Sequence, residues 1–326
     1  MSKNHIVRRF SWCLCVFVSL WLALITDLTF AQPSTQRASK IGVLHIQGNV
    51  YLLYGAGANI TMQVGNQAVV LVDSGPAQLS EDVRAAIRTV TNKPIGFIIN
   101  TSADPDRTGG NENLAKGGFF MLESANQSRP QASVVAHLNV LNRLTGDKKV
   151  EPSSWPTDTY DSTDWKLYAN GEPLIVEHVP EAHSDGDSIV FFRKSDVVST
   201  GAIFDMTKYP VIDEKRGGSL QGILNGLNHI LKDITVPQQN EEGGTYIIPG
   251  YGRACDRNDL ANYRDMLTII RDRIQDLVKK GKTLDEVKAA RPTYDYDGGY
   301  GVEQGDWTTN MFVEAVYREL SRRNIK

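Results

Sequence analysis

Asp104, Asp106 and Arg107 stand within four residues of one another at the end of an apolar run, in Ile98-Ile99-Asn100-Thr101-Ser102-Ala103-Asp104-Pro105-Asp106-Arg107-Thr108-Gly109-Gly110-Asn111. Two carboxylates on one turn suit a hard cation such as manganese or magnesium. They equally suit an arginine, which forms charge-assisted hydrogen bonds with carboxylates. Arg107 carries a permanent charge and no free lone pair, so it repels a metal and pairs naturally with Asp104 or Asp106. His183 lies far along the chain in Pro180-Glu181-Ala182-His183-Ser184-Asp185-Gly186-Asp187-Ser188. If Asp104, Asp106 and His183 converge, they supply the donors for one divalent cation, zinc or manganese.

These residues need strands to carry them. Ile95–Asn100 reads as a buried strand that starts at Pro94 and delivers the acidic turn. Ala68–Val72 is a continuous apolar run ending in Asp73-Ser74-Gly75, as expected of a strand covered on both faces. Earlier strands are expected at Ile41–Gln47, Asn49–Leu53 and Ile60–Val64, and later ones at Ala132–Ala136, Leu174–Val179, Ser188–Phe192, Val197–Gly201 and Tyr246–Ile248. Helical spacing of apolar residues predicts a helix capped by Ser80, a short one from His137, and longer ones over Ser219–Asp233, Asp259–Lys279 and Thr309–Arg322. The stretch Pro152–Trp165 is polar with prolines and reads as a surface loop. The pattern is that of a layered α/β (α+β) domain.

The acidic turn closely resembles the metal-binding loop of the metallo-β-lactamase superfamily, whose pattern is His-x-His-x-Asp-His followed by Thr-Gly-Gly-Asn. On that pattern Ser102 and Asp104 take the first two His places, Asp106 keeps the Asp, and Arg107 takes the last His place. Three further segments resemble the family's later motifs, in the same order. His183 falls on a ligand His, Ala202 in Ser199-Thr200-Gly201-Ala202-Ile203-Phe204 replaces a bridging Asp, and Tyr251 in Ile248-Pro249-Gly250-Tyr251-Gly252 replaces a His. The resemblance covers residues 42–280 and implies an αββα four-layer sandwich with its ligand loops along one edge. It also implies that Asp73 supports the ligand loop. Ser102, Arg107, Ala202 and Tyr251 are lost ligand positions, and Asp104 is at most a remnant.

Three readings follow. The first is a non-catalytic protein that binds a small or anionic ligand in the old cleft, with Arg107 as the anion anchor and no cofactor. The second is a hydrolase of ester, thioester or lactam bonds with one metal on Asp104, Asp106 and His183, and Tyr251 donating to the oxyanion. The third is metal-free acid–base catalysis with His183 as base and Asp106 orienting it. Gly109 and Gly110 are expected at tight turns, and Asn111 and Asn113 at the cap of the next helix. Asp185 and Asp187 are expected to hold their turn. His45, His137, His178 and His229 lack metal-ligand spacing. Tyr294-Asp295-Tyr296-Asp297-Gly298-Gly299 lacks the spaced acids of a calcium loop and reads as a polar glycine loop. Cys255 has no base within its own segment.

The 326 residues, 41% hydrophobic and 22% charged, are enough for a full core. Arg8 and Arg9 precede an apolar run from Phe10 to Ile25, and Thr29-Phe30-Ala31 ends in small residues. That is the pattern of a secretory signal cleaved after Ala31, with an uncleaved anchor as the alternative. The expected order is signal peptide 1–31, linker 32–40, and one domain over 41–326 with a helical extension from about 281. Removing the signal's +2 takes the formal charge from -3 to -5 and leaves Cys255 as the one cysteine, so no intrachain disulfide forms. A mildly acidic chain argues against nucleic acid and against an anionic membrane as partner.

Overall fold

The computed structural model describes residues 40–119, 131–236 and 244–324. The expected signal segment, its cleavage point and the linker up to residue 39 lie outside the described residues. No helix among the described residues is long and apolar enough to cross a membrane.

Two sheets face each other. Seven strands lie in sequence order in the first: β1 Gly42–Gln47, β2 Val50–Tyr54, β3 Ile60–Val64, β4 Val69–Val72, β5 Ile95–Asn100, β6 Ser133–His137 and β7 Asp158–Tyr160. The first four pair antiparallel, and β4 to β7 run parallel. The second sheet is ordered β12-β11-β10-β9-β8, from β8 Asp164–Ala169, β9 Glu172–His178, β10 Ser188–Phe192, β11 Val197–Ser199 and β12 Tyr246–Ile248.

Side chains alternate across each strand, so a fully apolar strand serves two cores at once. Val70 and Val72 of β4 and Phe97 and Ile99 of β5 face Leu174, Val176, Val190 and Phe192 of the second sheet. Val69, Leu71 and Ile98 face outward and meet Val83, Ala86 and Ile87 of the helix Ser80–Arg88. Outside the second sheet, the helices Leu220–His229, Arg257–Lys279 and Thr309–Asn324 form the largest cluster, with Leu224, Leu267, Ile270, Phe312 and Val316 buried in it. The architecture is an αββα sandwich. At the strand ends opposite Asp73, the buried Glu172 carboxylate accepts from Gln63 Nε2, Ser195 Oγ and the backbone N–H groups of Lys194 and Ser195, tying the sheets together.

Several local expectations need correction. Pro152–Trp165 is not simply a loop: it contains β7 and the start of β8. In β7 only Tyr160 is buried, and β8 is an edge strand that alternates with exposed Lys166 and Tyr168, so neither shows an apolar run. Ser80 lies inside its helix, with Oγ bonded back to the Ala77 carbonyl, and does not cap it. Tyr294–Gly299 forms two short helical turns instead of a glycine loop.

Candidate functional site

The four motif segments meet at one edge of the sandwich. Asp73, at the end of β4, has φ of 66°, a left-handed conformation that aspartate tolerates better than most residues. Its carboxylate accepts from the Thr101 backbone N–H at 2.8 Å and from Thr101 Oγ1 at 2.8 Å, tying β4 to the acidic turn. The Arg107 carbonyl accepts from Ser74 N at 2.9 Å, Ser74 Oγ at 2.9 Å and Asn100 Nδ2 at 3.0 Å. Asn111 does not cap the next helix; its amide pairs with that of Asn100, under the turn. Gly109 and Gly110 lie in the turn between the two short helices, with negative φ. A Cβ on Gly109 would lie 2.5 Å from the Pro105 carbonyl, and one on Gly110 2.3 Å from the Ser74 carbonyl, so close backbone approach requires both glycines.

Arg107 is 1% exposed, and its Nη1 lies 3.2 Å from Asp73 Oδ2. Its partner is thus Asp73, not Asp104 or Asp106 as the spacing suggests. Successive residues of the helical turn Pro105–Thr108 project about 100° apart, which sends Arg107 inward and its neighbours elsewhere. Burial opposes the guanidinium charge, and Asp73 followed by Asp106 more than restores it. Burial pushes the Asp73 carboxyl up to about 6, against the pull of Arg107 and Thr101. Arg107 Nε and Nη2 find no acceptor among the described residues. The ring of Tyr251 stands 5.1 Å from the guanidinium carbon.

Each remaining acid has its own partner. Tyr251 donates its hydroxyl hydrogen to Asp106. Burial raises the phenol pKa far above neutrality, so the proton stays on Tyr251 and is committed to Asp106. Asp104 accepts from Ser102 Oγ at 2.6 Å and Arg216 Nη2 at 2.8 Å. Burial would raise Asp104, but His183 and Arg216 beside it hold it below the usual carboxylate range. His183 Nε2 lies 3.7 Å from Asp104 Oδ2, and its Nδ1 3.3 Å from Asp187 Oδ1. Burial works against the imidazolium, but Asp187 and Asp104 outweigh it and lift His183 to about 9. Asp104 and His183 therefore come together, whereas Asp106 points to Tyr251. Ala202 sits in the turn Gly201–Ile203 and offers no donor.

Sequence reasoning missed Arg216 and Asn59, and gave Asp187 as a support of its own turn without its bond to His183. Arg216 also holds Asp213, through Nε at 2.6 Å. Its one sequence signal is its place ahead of Gly217-Gly218, the turn into the next helix. Asp187 is 1% exposed and binds both the ring of His183 and the N–H of Ser184. Asn59 donates to the carbonyls of Pro249 at 2.9 Å and Gly252 at 2.8 Å, holding Tyr251's loop from across the sandwich. His137 and His178 stack with ring centroids 3.7 Å apart, and His178 Nε2 donates to the Asp185 carbonyl at 2.9 Å. Cys255 is buried, and burial raises its thiol pKa.

The residues present do not fit a divalent metal. Arg107 brings a fixed cation and two unpaired N–H donors, where a metal needs lone pairs. Both nitrogens of His183 face carboxylates, and Asp106 is taken by Tyr251. No three His, Cys, Asp or Glu side chains among the described residues form a metal-holding group.

No family model matches the chain, and no curated protein matches its sequence. Solved structures do match its fold. A metallo-beta-lactamase from Pontibacter korlensis superposes with a TM-score of 0.56 at 15% identity, covering 70% of this chain and 99% of that one. The sec-alkylsulfatase Pisa1 from Pseudomonas sp. gives 0.59 at 16% identity over 86% of this chain, which spans 50% of the sulfatase. The DIM-1 metallo-beta-lactamase gives 0.54 at 17% identity, over 70% of this chain and 97% of that one. The likeness is one of fold: the αββα sandwich is that of the metallo-β-lactamases.

Proposed function

We propose that this chain is an exported protein of metallo-β-lactamase fold in which an internal ion-pair cluster replaces metal chemistry, and that it binds a small anionic molecule without hydrolysing it. The observation that carries this reading is the buried Arg107–Asp73 pair, a permanent positive charge at a position that resembles a metal ligand's. Folds outlast their chemistry, so the fold alone does not supply an activity. Export rests on the basic and apolar pattern of residues 8–31.

The two catalytic alternatives fit the geometry less well. A one-metal site on Asp104, Asp106 and His183 needs the three to converge, but each already has a protein partner. Tyr251 cannot give an oxyanion the proton it gives Asp106. A histidine lifted to about 9 is protonated at neutral pH and is a poor general base.

Metal content by mass spectrometry tests the proposal, on protein purified without chelator and again after incubation with zinc and manganese. The expected content is below about a tenth of an equivalent throughout, because an evolved metal site holds its ion tightly. A stoichiometric ion that is lost in His183→Ala would overturn the proposal in favour of the one-metal hydrolase.

A further inference from the structure

The acidic turn has a second side. Ala103 and Pro105, which alternate with Ser102, Asp104 and Asp106, line an open groove of about 830 Å³. Leu144 and Val150 supply further apolar wall, and Arg143 and Arg216 bring two guanidiniums to the same groove. A groove of this size suits a small metabolite.

Each arginine is only partly used. Arg143 gives Nε and Nη2 to Asp185, at 3.3 and 2.5 Å. Arg216 gives Nε to Asp213 and Nη2 to Asp104, at 2.6 and 2.8 Å. No described residue accepts from either Nη1. Both guanidiniums line the groove, and Asp185 favours the charge on Arg143 over the smaller opposing effect of Arg216. An anion that reaches both accepts from both. Glu112, Asp147, Glu151 and Lys149 also line the groove, and Glu112 is paired with Lys116, so this wall adds no net positive charge and the two arginines are left to hold a single carboxylate.

We infer that this groove is the binding site for a small monocarboxylate with an apolar body, its carboxylate held by the free edges of Arg143 and Arg216 and its body against Ala103, Pro105, Leu144 and Val150. This rests on the reading of the protein as a binder and locates the ligand behind the acidic turn, outside the buried cluster. Arg216 then touches both ligand and Asp104, so occupancy is felt in the cluster.

Titration with hexanoate, followed by calorimetry and by protein NMR shifts, tests the inference, with hexylamine and inorganic phosphate as comparison probes. Saturable binding of hexanoate at one site is expected, weakened about tenfold in Arg143→Gln, with both comparison probes at least about tenfold weaker. Gly146 lines the groove, and an added Cβ there meets nothing within 4 Å. Gly146→Phe therefore places a ring in the groove, one helical turn beyond Arg143 and with both guanidiniums retained, and should abolish binding in a folded protein. Failure of hexanoate to saturate, equal binding in both variants, or tighter phosphate binding would each overturn the inference. Measuring metal in the same samples separates the two claims. Hexanoate binding that requires a stoichiometric metal defeats the proposed function, whereas a metal-free protein that ignores hexanoate defeats the groove alone.

Discussion

Arg107 and Asp73 depend on each other because both are buried. Arg107→Met leaves the Asp73 carboxylate facing Thr101 with no counter-charge, and should cost about 3 to 5 kcal/mol in denaturant unfolding. Adding Asp73→Asn removes the stranded charge, so the double variant should lose less than the sum of the two singles, by more than about 1 kcal/mol. Additive losses would mean that Asp73 is not the counter-ion. His183 gives the site a pH dependence of definite sign. Its folded value of about 9 lies above the ordinary 6.5, so its contribution is full below about 6.5 and is lost as pH rises through about 9. The contribution is up to about 3 kcal/mol, read as a falling unfolding midpoint across that window together with the imidazole NMR titration. A midpoint that stays flat while the ring titrates near its ordinary value would refute it. At this scale the missing ligands were legible, since alanine and arginine cannot coordinate whatever surrounds them. The replacement pairs were not, because Asp73–Arg107 and Asp104–Arg216 span 34 and 112 residues, and Arg107 has two nearer acids in sequence.

The elements that deliver these residues differ in how tightly they are held. The loop carrying His183 rests on the start of the helix Leu220–His229, where Ser219 Oγ caps Gly222 N–H. A Cβ on Gly222 would lie 1.8 Å from the Glu181 carbonyl, and one on Gly218 2.1 Å from the His183 carbonyl. Gly222→Ala must therefore push two backbone segments apart. It should cost on the order of 2 to 3 kcal/mol and draw the His183 titration back toward its ordinary value. An unchanged His183 titration would separate the helix from the site. The central strand Ser188–Phe192 was readable from sequence because both its faces are covered, and it falls at the expected bounds. The edge strand Tyr246–Ile248 was read too, since it keeps apolar residues, whereas β8 escaped because exposed Lys166 and Tyr168 break its apolar run. Gly110 lies in a turn as read, but its close approach to the Ser74 carbonyl has no signal in the sequence.

Across the whole molecule, the last helix belongs to the core. Phe312 is 0% exposed and stacks on Tyr209 at 4.9 Å, in the cluster that also holds the long helix Arg257–Lys279. Phe312→Ala should cost about 3 to 5 kcal/mol, measured as a loss in thermal or denaturant stability. A loss under about 1 kcal/mol would mean that the C-terminal helices are an appendage. The two ends of the sandwich are fastened by different kinds of bond. At the motif edge, charges carry part of the holding: Arg216 and His183 reach Asp104 from the other half, beside the neutral bonds of Asn59 to the Pro249 and Gly252 carbonyls. At the far edge, Glu172 is gripped by an amide, a hydroxyl and two backbone N–H groups, none of which titrates near neutrality. The protein is built like a bound book, with a sewn spine at Glu172 and a clasp of charges along the fore-edge. Alkali that discharges His183 loosens one link of the clasp, the one to Asp104, and leaves the spine shut.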